Sequence, residues 1–118
     1  MKAFLVEQVG DKEFIASVKE VSIPKCEDNE VVIKVTYSSL NYKDALSSVG
    51  NPGVTRKFPH ITGIDVAGTV YESTSPIFKT GEKVLVTGYD MGMNSDGGHA
   101  EYVKVPAAWV ARIPDSIS

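Results

Sequence analysis

The segment "VVIKVTYSS" at residues 31–39 constrains the fold most. Val31, Ile33, Val35 and Tyr37 fall on one face and Lys34, Thr36 and Ser38 on the other. Successive side chains of a strand point to opposite faces, so this alternation predicts a half-buried strand with one face in a core. The pattern recurs less cleanly in "KAFLVEQ" and "FIASVKEVSI", separated by the turn-like "GDK", which predicts an opening hairpin ended by Pro24. Over residues 61–71 it places Ile64, Val66 and Val70 on one face and Asp65, Ala67, Thr69 and Tyr71 on the other. "FKTGEKVLVTG" predicts a turn and a short strand, and "HAEYVKVP" and "AAWVARIP" predict two more. Six or seven short strands at close spacing indicate a mainly β sandwich or partly open barrel.

One segment has helical spacing. In "NYKDALSSVG", Asn41 can cap, Tyr42, Ala45, Leu46 and Val49 share a face, and Gly50 is placed to stop the helix. With 118 residues the chain is one domain's worth. A strand, G-x-G-x-x-G and helix is absent: "GIDVAG" has glycines at 63 and 68, and the loop at 88–98 has them at 88, 92, 97 and 98. The chain therefore carries no cradle for a dinucleotide pyrophosphate.

Hydrophobic residues at 42% and charged residues at 23% are those of a folded globular protein. With a net charge of −3 and no Lys/Arg cluster, the chain has no stripe to neutralise successive phosphates, so nucleic acid is excluded as an expected partner. The first apolar run stops at Glu7, too soon for a signal peptide, and none is long enough to span a bilayer; no membrane association and a cytoplasmic location are expected. Cys26 is the single cysteine, which rules out a disulfide within the chain, and Cys26, His60 and His99 lack the spacing of a zinc site. Asp90, Asn94, Asp96 and Glu101 have calcium-like spacing, but Gly92 takes a ligand position and Ser95 the position that loop reserves for glycine.

Three places remain for chemistry. Asp65 lies opposite the aliphatic face of its strand and either meets solvent or lines a cleft. Lys43 and Asp44 read equally well as surface charges, Asp44 being favoured near a helix N-terminus. In the glycine-rich loop, Tyr89, Met91 and Met93 cover a cleft or pack over the barrel's end.

"YSSLNYKDAL", "FPHITGIDVAGTV", "FKTGEKVLVTGY" and "GGHAEYVKVPAAWVARIP" occur in the order and at about the spacing of the N-terminal part of medium-chain dehydrogenase/reductases. Across nearly its whole length the chain resembles the zinc-independent branch that holds acrylyl-CoA reductases and quinone oxidoreductases. The resemblance implies a GroES-like, partly open β-barrel with one or two short helices over residues 1–118. It also implies that a Rossmann nucleotide-binding domain follows residue 118. Zinc-dependent members have a cysteine ligand where this chain has Asn41, and Gly-His-Glu where it has Gly63, Ile64 and Asp65. An amide and an aliphatic side chain cannot replace a thiolate and an imidazole, so no metal is expected.

The resemblance implies NADPH-dependent reduction of an α,β-unsaturated carbonyl compound, an acyl-CoA thioester or a quinone, a reaction in which hydrogen-bond donors can hold the enolate charge without a Lewis acid. The resemblance places Tyr42 beside the nicotinamide with Asn41 next to it. It gives Tyr42 and Asp65 as catalytic candidates, and Tyr89 and Met91 as borders of a small-molecule substrate. Lys43 falls where zinc alcohol dehydrogenases have a Ser/Thr relay. Thr62 stands where relatives often have proline, and Tyr89 where the acrylyl-CoA branch often has tryptophan, which leaves the substrate open. A homodimer is implied for the full-length protein. The competing expectation is a free-standing, non-enzymatic binding or assembly module on the same fold.

Overall fold

A computed structural model describes residues 1–10, 13–38, 59–87, 91 and 96–113. These form eight strands: β1 (Lys2–Gly10), β2 (Glu13–Glu20), β3 (Glu30–Tyr37), β4 (His60–Ile61), β5 (Asp65–Ser73), β6 (Lys83–Thr87), β7 (Tyr102–Pro106) and β8 (Ala111–Arg112). They make two antiparallel sheets, one ordered β2-β1-β4 and the other β7-β3-β5-β6-β8. Among the described residues the only helical element is the 3₁₀ turn Ala107–Trp109. The helix expected at 41–50 lies outside them.

The opening hairpin is present, pairing Lys2 with Glu20 through to Gly10 with Glu13. The core belongs to the five-stranded sheet, where Ile33, Val66, Val70, Val84, Val86 and Val103 pack into one buried cluster. Alternation works there because one sheet face turns inward and branched side chains fill it.

Three expectations are corrected. Residues 61–71 are not one strand. His60 and Ile61 pair with Val6 and Leu5 of β1, whereas β5 begins at Asp65 in the other sheet. Gly63 turns the chain between them at φ 112°, a left-handed conformation that side chains resist. Second, Tyr37 does not share the buried face of β3: it is 71% exposed, whereas Val32 is fully buried. The pairing of β3 with β5 shifts register between Val32 and Ile33 and again between Val35 and Tyr37. Each irregularity re-aims the side chains beyond it. Val32 is covered on the second face, where Cys26 bonds to its partner Glu72: the Cys26 N–H donates to Glu72 Oε1 at 3.3 Å. Third, "AAWVARIP" is not a strand throughout but the 3₁₀ turn followed by the two-residue β8 against Val84 and Leu85.

The two sheets meet along a seam and part elsewhere, so the barrel is partly open. At the seam, β1 pairs with β4 and also with the approach to β7, through the Ala3–Ala100 bridge and the Phe4 N–H donated to His99 O at 2.8 Å. Glu101 O then accepts from Val35 N–H at 2.9 Å and carries the ladder into the second sheet. Where β1 and β7 diverge, a gap of about 440 Å³ opens between Leu5, Val21, Ile61, Val103, Pro106 and Trp109.

Candidate functional site

The register of the five-stranded sheet gathers one rim. Asp65 opens β5 opposite Thr87, the last residue of β6, and two residues on Ala67 pairs with Tyr37, the last residue of β3. From this rim the chain runs into 39–58, which contains Asn41 and Tyr42, and into 88–90 and 92–95, which contain Tyr89. Those three residues and Lys43 lie outside the described residues. Asp65 is half-buried on the face opposite Val66 and Val70, as the alternation predicts.

The two excursions return side by side. Ile61 N–H donates to Asp96 Oδ1 at 3.1 Å. Three main-chain bonds follow: Gly97 N–H to Ile61 O at 2.9 Å, Gly98 N–H to Gly63 O at 3.0 Å and His99 N–H to Thr62 O at 2.9 Å. Two glycines make this approach possible. A Cβ on Gly63 would lie 2.6 Å from the His99 nitrogen, and one on Gly98 would lie 2.8 Å from the Asp65 carbonyl oxygen. Both are closer than real Cβ contacts, so the rim residue Asp65 rests directly on the Gly98 backbone. Beside it, Thr62 Oγ1 lies 2.7 Å from His99 Nδ1. This pair is 37 residues apart, and no local pattern in the chain announces it.

Met91 is fully buried in the main core cluster with Ile33 and Val86, the placement that the packing alternative describes. A flexible thioether fills irregular core space well. Cys26 is remote from the rim. Burial, followed by the charge of Glu72, pushes its thiol up, which suits a packed thiol rather than a thiolate ligand. Among the described residues no three of His, Cys, Asp and Glu cluster as metal ligands.

The nicotinamide dinucleotide implied by the sequence resemblance needs a holder for its phosphates. Gly63, Gly68 and Gly98 do not fit that need, since Gly63 and Gly98 close on backbone and Gly68 packs against the Lys34 carbonyl. What the described rim itself offers is a half-buried carboxylate on a rigid strand end, flanked by the stems of two chain excursions.

This architecture defines a GroES-like module: the chain belongs to the alcohol dehydrogenase GroES-like domain family, whose pattern matches residues 27–115. Within that family, it is 39% identical over 102 residues to the acrylyl-CoA reductase AcuI of Ruegeria pomeroyi, covering 86% of this chain and 31% of AcuI. The crystal structure of the yhdH oxidoreductase from Salmonella enterica in complex with NADP is 42% identical, with a TM-score of 0.89 over 100% of this chain and 36% of that one. The crystal structure of the Bacillus subtilis protein yhfP with NAD bound is 38% identical, with a TM-score of 0.89 over 99% of this chain and 35% of that one. These matches bear out the branch read from the four motifs. The chain spans about a third of the length of these relatives, from 31% to 36%.

Proposed function

We propose that this domain is the N-terminal catalytic part of an NADPH-dependent oxidoreductase that reduces an activated carbon–carbon double bond without zinc. The substrate class is an α,β-unsaturated carbonyl compound, such as an acryloyl-CoA-like thioester, or a quinone. The observation that carries this reading is the 39% identity to an acrylyl-CoA reductase across 86% of the chain. Asn41 and Ile64 support the zinc-free part, because neither is a zinc donor of the kind such sites use. The free-standing assembly module is not favoured, since the matched solved structures with NADP or NAD bound align with nearly the entire chain.

In this proposal residues after 118 supply the Rossmann domain that holds most of the cofactor. Tyr42 and Asn41 lie at the nicotinamide end, Asp65 orients groups in the cleft, and Tyr89 borders the substrate. Reduction of a conjugated double bond puts negative charge on the carbonyl oxygen. The contribution of this chain is to position hydrogen-bond donors toward that charge and to hold the substrate against the cofactor. The full-length protein is proposed to be a cytoplasmic homodimer. For the membrane, the described residues show only that no helix is long and apolar enough to cross one.

The test is steady-state oxidation of NADPH and of NADH by the longer protein that carries this domain, with a small enone, acryloyl-CoA and a quinone in turn. Turnover of at least one acceptor, faster with NADPH and unchanged by a chelator, is expected. No turnover with any of the three, or turnover abolished by chelation, overturns the reading. Replacing Tyr42 by Phe should lower kcat roughly ten- to hundred-fold while leaving the fold intact, as expected for loss of one charge-stabilising donor.

A further inference from the structure

Thr62 is 1% exposed, so its hydroxyl has no access to water and depends on His99 Nδ1 at 2.7 Å. The hydroxyl donates when the ring carries its proton on Nε2 and accepts when the proton is on Nδ1. The same two residues are already joined through the backbone, His99 N–H to Thr62 O, with parallel links on both sides from Gly97 and Gly98. The side-chain bond is therefore not needed to hold the chain together at this point. It adds a side-chain link to the backbone bonds between the two strips.

Two routes lead from this pair to Asp65. Along the chain, Thr62 is three residues away through Gly63, whose φ of 112° leaves little room for adjustment by a substituted residue. Across space, Gly98 precedes His99 and sits beneath Asp65, with room for a hydrogen but not for a Cβ between it and the Asp65 carbonyl. A small displacement of the His99 strip thus moves the backbone of the rim. Close-packed interiors transmit such shifts rather than absorb them.

We infer that Thr62 and His99 are positioning residues: their hydrogen bond sets the placement of Asp65 on the rim and, through it, the fit of the substrate. The kinetic part of this inference rests on the reductase reading above; the structural part does not.

The experiment compares Thr62→Val and Thr62→Ser in the longer protein, measuring kcat, KM for the acceptor and for NADPH, melting temperature, and the amide resonance of Asp65. Thr62→Val should raise the acceptor KM about three- to ten-fold, the size expected for one hydrogen bond, and leave the nucleotide KM within about two-fold. The Asp65 resonance should shift, and Thr62→Ser should return both readings to the parent. An unchanged acceptor KM with an unmoved Asp65 resonance overturns the inference. So does an effect that serine fails to reverse, or one that falls on every kinetic parameter in step with the melting temperature. If no variant turns over any acceptor, the reductase reading fails, and the Asp65 resonance alone decides: shifted in valine and restored in serine supports positioning, unmoved overturns it. Should Thr62→Val not fold, His99→Leu against His99→Asn makes the same comparison, because the asparagine keeps a polar partner for the hydroxyl.

Discussion

The β1–β2 hairpin and the five-stranded sheet are both built from alternating, strand-forming sequence, yet they bury very different amounts of it. In β3, Val31, Val32 and Ile33 are all fully buried, and β5, β6 and β7 each send valines into the same cluster. In β2 no residue is buried, and Ile15 and Val18 are 52% and 67% exposed. The hairpin is held by its ladder to β1 and by cross-strand pairs such as Lys19 with Glu7 at 2.5 Å. Apolar periodicity makes a strand; a second layer over it makes a core. Stability should accordingly concentrate in the larger sheet.

The largest effect should come from Gly68 at the centre of that sheet, where a Cβ would lie 2.1 Å from the Lys34 carbonyl oxygen. Gly68→Val is expected to cost more than about 4 kcal/mol and to abolish the cooperative urea transition. Next, Ile33→Ala should cost about 2–5 kcal/mol by urea denaturation, whereas Ile15→Ala in the hairpin should stay within about 0.5 kcal/mol. Equal losses at the two isoleucines would break the comparison. Smaller still is Ser17→Ala in β2: Ser17 Oγ is buried and finds no hydrogen-bond partner among the described residues. Its removal should be neutral or raise the melting temperature slightly.

The last prediction concerns pH. The Arg112 guanidinium holds the Glu82 carboxyl below the usual carboxylate range, and the Lys79 N–H adds to this. A depressed folded value means that the contribution is present above the unfolded value and is lost as pH falls through the folded one. Arg112→Ala should move the Glu82 titration upward, read by carbon NMR of the carboxyl. An unmoved midpoint would remove Arg112 as the cause.

The sequence patterns that proved readable were those set by neighbours along the chain. The alternation of β5 over Val66 and Val70, the Gly81 turn before β6, and the opening hairpin all depend on residues within a few positions of one another. What escaped was set by distant partners. β4 and β8 have two residues each, too few to show a period, and exist because Val6 and Val84 offer edges to them. Tyr37 was misplaced because bulges interrupt the period that put it with Val35. At the candidate site, Asp65 was legible from its face of the strand. The depth of Met91 was not, because a methionine in a glycine-rich stretch gives no sign of which side of the chain the core lies on.

The strips 61–63 and 97–99 are stitched by amide-to-carbonyl bonds, and three of the contacting residues have no side chain at all. Such a foundation is indifferent to most of the amino acids written above it. Residues 43–58, 88–90 and 92–95 can be exchanged without the footing having to change along with them, whereas Met91 between them belongs to the core. A lineage exploring new substrates could therefore keep this base and vary what it carries, and an engineer exchanging those stretches should cut at 59 and 96 rather than inside the stitch.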